Sequence, residues 1–117
     1  IERVIFCSGK VFYDLVKYRE ESKIDNAAII RIEQLYPFNG EMLEHIISQY
    51  PKASKWVWAQ EEPQNMGAYS YIRPNLESVL QTRISYAGRK PSSSPAAGSK
   101  AQHVREQNTL LKAAFEV

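Results

Sequence analysis

The sequence has one cysteine, two histidines and no long apolar run, and each scarcity removes a class of function. A lone Cys7 cannot close an internal disulfide, and its place inside the run Val4-Ile5-Phe6-Cys7 marks a buried thiol of a reducing compartment. His45 and His103 stand far apart, with no cysteine or second histidine at ligand spacing, so no metal site can be built from them. No stretch reaches the roughly 18 to 20 apolar residues of a membrane span, and no signal-peptide pattern opens the chain. Charge of one sign is scarce too. Fifteen Lys and Arg against thirteen Asp and Glu leave +2 and no basic run, which announces neither a nucleic-acid nor a membrane partner. The phosphate-loop spacing G-x-x-x-x-G-K-[ST], the dinucleotide pattern G-x-G-x-x-G and the nucleophile elbow G-x-S-x-G are all missing.

What is present suits a soluble globular chain. Hydrophobic residues make up 44% and charged residues 24% of 117 positions, enough for one core and too few for two, so residues 1–117 are expected to form one domain. The chain starts in a strand-like segment without an initiator methionine, which reads as the cut end of something longer. Residues 3–7 predict a buried parallel strand, and Ser8-Gly9 a turn whose Ser8 or Gly9 caps a helix through Val11, Phe12, Leu15, Val16 and Arg19. Residues 27–32 predict a second strand. Asn39 then caps a helix with Met42, Leu43, Ile46, Ile47 and Tyr50 on its apolar face, stopped by Pro51.

The alternating run Trp56-Val57-Trp58-Ala59 predicts the third strand, its tryptophans in the core, breaking into a charged loop over residues 60–67. Tyr69, Ile72, Leu76, Val79 and Leu80 keep helical spacing across Pro74, which implies either a helix kinked there, the preferred reading, or a shorter helix that Pro74 starts at its first turn. Residues 83–86 predict a weak edge strand, and residues 88–98 have the composition of a flexible linker. Ser99 and Gln102 stand at capping-box spacing before a last helix striped by Val104, Leu111 and Phe115. Four strands alternating with four helices give an α/β fold, a parallel sheet of order 2-1-3-4. Its topological switch sets Ser8-Gly9-Lys10 across a crevice from Gln60-Glu61-Glu62.

Glu61 and Glu62 are adjacent carboxylates, but neighbours in a strand point to opposite faces, which favours a structural or contact role over an acid/base pair. Lys10 at a helix start could meet a phosphate, although a plain strand-to-helix turn explains it as well. Ser8, Ser85 and residues 92–94 have no histidine and acid partners in pattern, which argues against a hydrolase. His45 is expected in solvent and His103 at the mouth of the last helix. Arg89-Lys90 is the most basic spot, placed to bind an anion or to meet Glu61 or Glu62.

Four segments carry a resemblance: C-S-G-K-V-F-Y-D-L from Cys7, R-I-E-Q-L-Y-P-F from Arg31, Q-E-E-P-Q-N-M-G-A-Y from Gln60 and Y-A-G-R-K-P-S-S-S-P-A-A-G from Tyr86. In order and over essentially the whole chain, they closely resemble the carboxyl-terminal domain of 2-oxoglutarate dehydrogenases, the thiamine-diphosphate-dependent first component of a multienzyme complex of the citric acid cycle. The resemblance implies a transketolase carboxyl-terminal fold, three layers α/β/α with a mostly parallel sheet and one extra antiparallel strand just before the present start. It implies a parent enzyme that decarboxylates 2-oxoglutarate and passes succinyl to lipoamide. Thiamine diphosphate, magnesium and the catalytic histidines would be held upstream, and no catalytic residue or cofactor would belong to this segment.

Implied partners are the upstream domains, a second protomer of a homodimer and the dihydrolipoyl succinyltransferase component. The setting would be cytoplasmic in a bacterium or the mitochondrial matrix in a eukaryote. Glu61, Glu62, Asn65 and Gly67 would form a contact loop, and Arg89 would anchor the serine-proline loop. Some relatives bind an acyl-CoA regulator beside the E-Q-L segment; Gln34 matches, while Gly40, Glu41 and Met42 stand where arginines would be. A 2-oxoadipate-type relative would carry the same domain. A free-standing nucleotide- or CoA-binding module would instead converge Lys10, Gln34 and Arg89 on phosphate in the crevice, and a protein-binding adaptor would expose an apolar patch.

Overall fold

The computed structural model describes residues 1–91 and 98–117. Its strands are β1 (Arg3–Cys7), β2 (Ala27–Arg31), β3 (Lys55–Pro63) and β4 (Ser85–Arg89); its helices are α1 (Val11–Glu21), α2 (Gly40–Ser48), α3 (Tyr69–Leu80) and α4 (Lys100–Ala114). The sheet is parallel in the order β2-β1-β3-β4, with the expected switch between β1 and β3. Alternation along each strand divides the core in two. Ile5, Cys7, Val57, Ala59 and Ala87 face α1 and α4, whereas Val4, Phe6, Ala28 and Trp58 face α2 and α3. Helices therefore cover both faces, and the paired middle of the central strands, Val4–Cys7 and Trp56–Ala59, is apolar, as the parallel arrangement requires.

Local chemistry explains most element ends. Asn39 accepts from Met42 N at 3.0 Å to cap α2, and Ser99 accepts from Gln102 N at 3.1 Å to cap α4. α1 departs from expectation: Lys10, not Ser8 or Gly9, is the N-cap, without a side-chain bond, because Gly9 at φ 79° completes the turn first. α2 ends at Ser48, ahead of Pro51, as Gln49 and Tyr50 N–H groups fold back onto Ile46 and Ile47 carbonyls. Helix α3 runs through Pro74, and the Asn75 side-chain amide donates to Tyr71 O at 2.8 Å beside it. At the far end of α4, Arg3 donates to the carbonyls of Ala114 and Val117, tying the helix to the start of β1.

Several boundaries and faces differ from the sequence pattern. β3 does not stop at Ala59. It continues to Pro63 beside β4, with a register irregularity between Ala59 and Pro63, so Glu61 and Glu62 lie in a strand instead of a loop. Beyond Trp58 the strand has outrun β1, which leaves its β1-facing side without a ladder and lets Pro63 sit there without losing a bond. β4 is shifted to Ser85–Arg89, so Gly88 and Arg89 are strand and not linker. Residues 92–97, including the three serines and the body of the serine-proline loop, lie outside the described residues. On α4 the buried positions are Leu110, Leu111 and Ala114, while Val104 is 48% exposed; Phe115 stacks on Tyr18. On α2, Leu43 is buried and Met42 is 58% exposed.

Candidate functional site at the carboxyl edge of the sheet

Gln60 organises this edge. It is the one buried polar side chain among the described core, 3% exposed, and all its bonding capacity is used. Its Oε1 accepts from Trp58 Nε1 at 2.9 Å and from Tyr69 N at 3.1 Å. Its Nε2 donates to the carbonyls of Glu62 at 3.1 Å, Pro63 at 3.0 Å and Met66 at 2.9 Å, so one of two hydrogens is shared. One amide thus joins the end of β3, the following loop and the first turn of α3. The loop is closed further by Met66 N on Pro63 O and by Gln64 N on Arg89 O.

Gly67 completes this geometry. Its φ is 67°, and a Cβ there would stand 3.1 Å from Glu62 Cβ and 3.3 Å from Gln60 Oε1. Tyr86 closes the other side, donating its hydroxyl to Arg89 O at 2.7 Å. Burial pushes the Tyr86 phenol up to about 12.

Glu61 and Glu62 diverge as strand neighbours do. Glu61 turns to the α1/α4 side, where its carboxylate is 3.5 Å from Lys10 Nζ and accepts from Gln107 Nε2 at 2.9 Å. Gln107 also donates to Asp14 Oδ2 at 2.9 Å, joining α4, β3 and α1. Glu62 is exposed on the loop side, as is Asn65.

Arg89 meets Glu61 through the main chain: Nη1 donates to Glu61 O at 2.7 Å. Its Nη2 contacts His103 Nδ1 at 3.0 Å and Gln107 Oε1 at 3.4 Å. Its Nε lies 2.9 Å from Glu106 Oε2 but off the N–H direction, so that contact is an ion pair and not a directed hydrogen bond. Arg89 therefore anchors α4 to this edge of the sheet.

Lys10 and Arg89 come together around Glu61, whereas Gln34 does not join them. It follows β2, donates to Tyr36 O at 3.0 Å and lines a separate cavity beside α2. His45 is exposed, 3.4 Å from Gln49. Cys7 is a free buried thiol whose pKa burial raises to about 12. Sequence reasoning placed Gln60 at the crevice without giving it a role, and missed Gln107 and Glu106. A glutamine directly after an apolar strand run was a usable signal, since a buried amide there must be bonded; nothing in the local sequence around Gln107 points to β3.

Comparisons with known proteins agree over the length of the chain. The family described as 2-oxoglutarate dehydrogenase C-terminal matches residues 1–115. The mitochondrial 2-oxoglutarate dehydrogenase of Schizosaccharomyces pombe is 48% identical over 98% of this chain. The 2-oxoglutarate dehydrogenase E1 components of Cupriavidus necator and Rickettsia felis are each 44% identical over the same share. The chain spans about 12% of the length of these relatives.

Proposed function

The chain belongs to the 2-oxoglutarate dehydrogenase C-terminal family, and from that premise we propose that it serves as the structural and interface domain of an E1-type enzyme. The parent polypeptide would oxidatively decarboxylate 2-oxoglutarate on thiamine diphosphate and hand succinyl to the lipoyl group of a dihydrolipoyl succinyltransferase. The observation that carries this reading is the saturated Gln60 amide, which spends a buried polar group on the shape of a loop. A strand end and loop tied together in this way present Glu62, at the end of β3, and Asn65, in the loop after it, at low ordering cost, the property expected of a preformed contact surface. The upstream domains and a second protomer are the surfaces it would meet.

Among the described residues no three His, Cys, Asp or Glu converge as metal ligands, and Glu61 is already held by Lys10 and Gln107. No chemical step is assigned to this segment. Among the described residues no helix is long and apolar enough to cross a membrane.

Light scattering and turnover together test the reading. The parent polypeptide is compared with a version lacking these 117 residues and with Glu62→Lys and Asn65→Lys variants. Loss of the dimer with loss of 2-oxoglutarate turnover in the truncated form, and a weaker dimer in the loop variants, is the expected result. A truncated enzyme that is dimeric and fully active overturns it.

A further inference from the structure

An asparagine carboxamide can be attacked by the chain itself, when the next residue's main-chain nitrogen closes a succinimide ring on Cγ. The step is easiest before a glycine, whose missing Cβ leaves the nitrogen free to approach. Of the five asparagines in the chain only Asn39 precedes one; the others are followed by Ala27, Met66, Leu76 and Thr109. Asn39 is exposed to water. Among the described residues nothing accepts from the Gly40 N–H, one of the donors that a helix start leaves over.

The fold holds the two groups apart. Asn39 Oδ1 accepts from Met42 N at 3.0 Å, its carbonyl accepts from Leu43 N at 3.2 Å, and a ψ of 92° turns the Gly40 nitrogen away from Cγ. That latch is light. Of the nine residues of α2 only Leu43 is buried, and Glu41 and Met42 in the first turn are exposed, so the turn belongs to the part of the structure that opens most readily. Nothing in the packing requires the glycine: its φ is not positive, and a Cβ there would make ordinary contacts, 3.7 Å to Val79 Cγ2 and 4.0 Å to Phe38 Cε1. Alanine would also be the better helix former.

We propose that Asn39-Gly40 is a self-modifying site gated by the first turn of α2. When the turn opens, the Gly40 nitrogen gives its proton to solvent and bonds to Asn39 Cγ. The Cγ–Nδ2 bond breaks, and ammonia leaves with a proton from water. A second water opens the ring at Cγ, giving aspartate, or at the main-chain carbonyl carbon, giving isoaspartate. Aspartate keeps an acceptor for Met42 N and adds a charge that a helix start favours. Isoaspartate lengthens the main chain and moves its carboxylate out of register with Met42 N, so the turn cannot close again.

The parent polypeptide is aged at mildly alkaline pH, folded or in urea, and digested with trypsin. Cleavage after Arg31 and Lys52 releases residues 32–52, in which Asn39 is the only asparagine, and chromatography with mass spectrometry resolves the three forms. Conversion is expected in the folded protein, severalfold more slowly than in urea. Gly40→Ala should slow it severalfold in both conditions. Leu43→Ala, which removes the one buried side chain of α2, should speed it in the folded protein and leave the urea rate unchanged. The proposal is overturned by an intact amide in the folded protein once the urea sample has converted, or by equal rates in the two conditions. Conversion of Gly40→Ala as fast as the wild type, or an unchanged folded rate in Leu43→Ala, overturns it as well.

Discussion

Arg89 and Glu61 are joined through the main chain: the guanidinium Nη1 donates to the Glu61 carbonyl at 2.7 Å, while the Glu61 carboxylate is held by Lys10 and Gln107. A basic residue and an acidic residue that read as a charge pair in sequence thus divide their work. The Glu61 carbonyl receives β4, and its two carboxylate oxygens receive Lys10 at the start of α1 and Gln107 of α4.

Arg89→Ala removes this strand-to-helix anchor. Because the guanidinium is largely buried and bonds four different residues, the expected loss is about 2–3 kcal/mol of stability. Lys10→Ala, which removes an exposed partner of the same Glu61, is expected to change stability by under about 1 kcal/mol. Urea denaturation of the two variants measures the difference.

Gln60→Leu keeps the volume and deletes every bond. The Trp58 indole N–H and the Tyr69 N–H lose their acceptor and the carbonyls of Glu62, Pro63 and Met66 lose a donor, Pro63 O keeping Met66 N, for a cost of about 2–4 kcal/mol. Increased amide exchange confined to residues 60–69 at mild temperature would show that the loop opens first. Uniform loss across the sheet would count against Gln60 as the organiser of that loop.

Gly67→Ala meets both a positive φ and Glu62 Cβ at 3.1 Å. It is expected to destabilise by about 1–2 kcal/mol, whereas Gly9→Ala, at φ 79° but with nothing near its would-be Cβ, carries only the backbone term and should cost less. Thermal melts of the pair separate strain from crowding.

Alkaline pH should weaken the fold through Tyr86 and Cys7. Both pKa values are raised by burial, from 10.0 and 9.0 to about 12, so the folded state retains protons that the unfolded chain releases. Their stabilising contribution is full below pH 9 and falls as pH rises from there towards 12. Tyr86→Phe removes the tyrosine share of that slope, at the cost of the bond to Arg89 O. Cys7 should also resist alkylation at pH 8 until the protein is unfolded.

The last helix offers a control on the core. Leu110→Ala, at a fully buried position, should cost about 2–5 kcal/mol, and Val104→Lys, at an exposed one, should stay within about 0.5 kcal/mol. Equilibrium denaturation of both reports whether the helix packs through its second half.

Sequence alone determined the strand–helix alternation, because apolar runs such as Val4-Ile5-Phe6 and capping residues such as Asn39 and Ser99 act within a few residues of chain. It also determined the strand order, since right-handed crossovers leave few arrangements, and the quoted motifs carried the family. What only the tertiary structure decided lies where distant segments meet. β3 reaches Pro63 because β4 pairs with it past the end of β1, and charged residues gain strand geometry there without an apolar pattern to announce it. Val104 faces solvent and Leu110 the core because α4 is fixed by contacts to residues as far away as Arg3, Asp14 and Glu61. Helical spacing sets which residues share a face; the direction of that face depends on partners nearly the length of the chain apart.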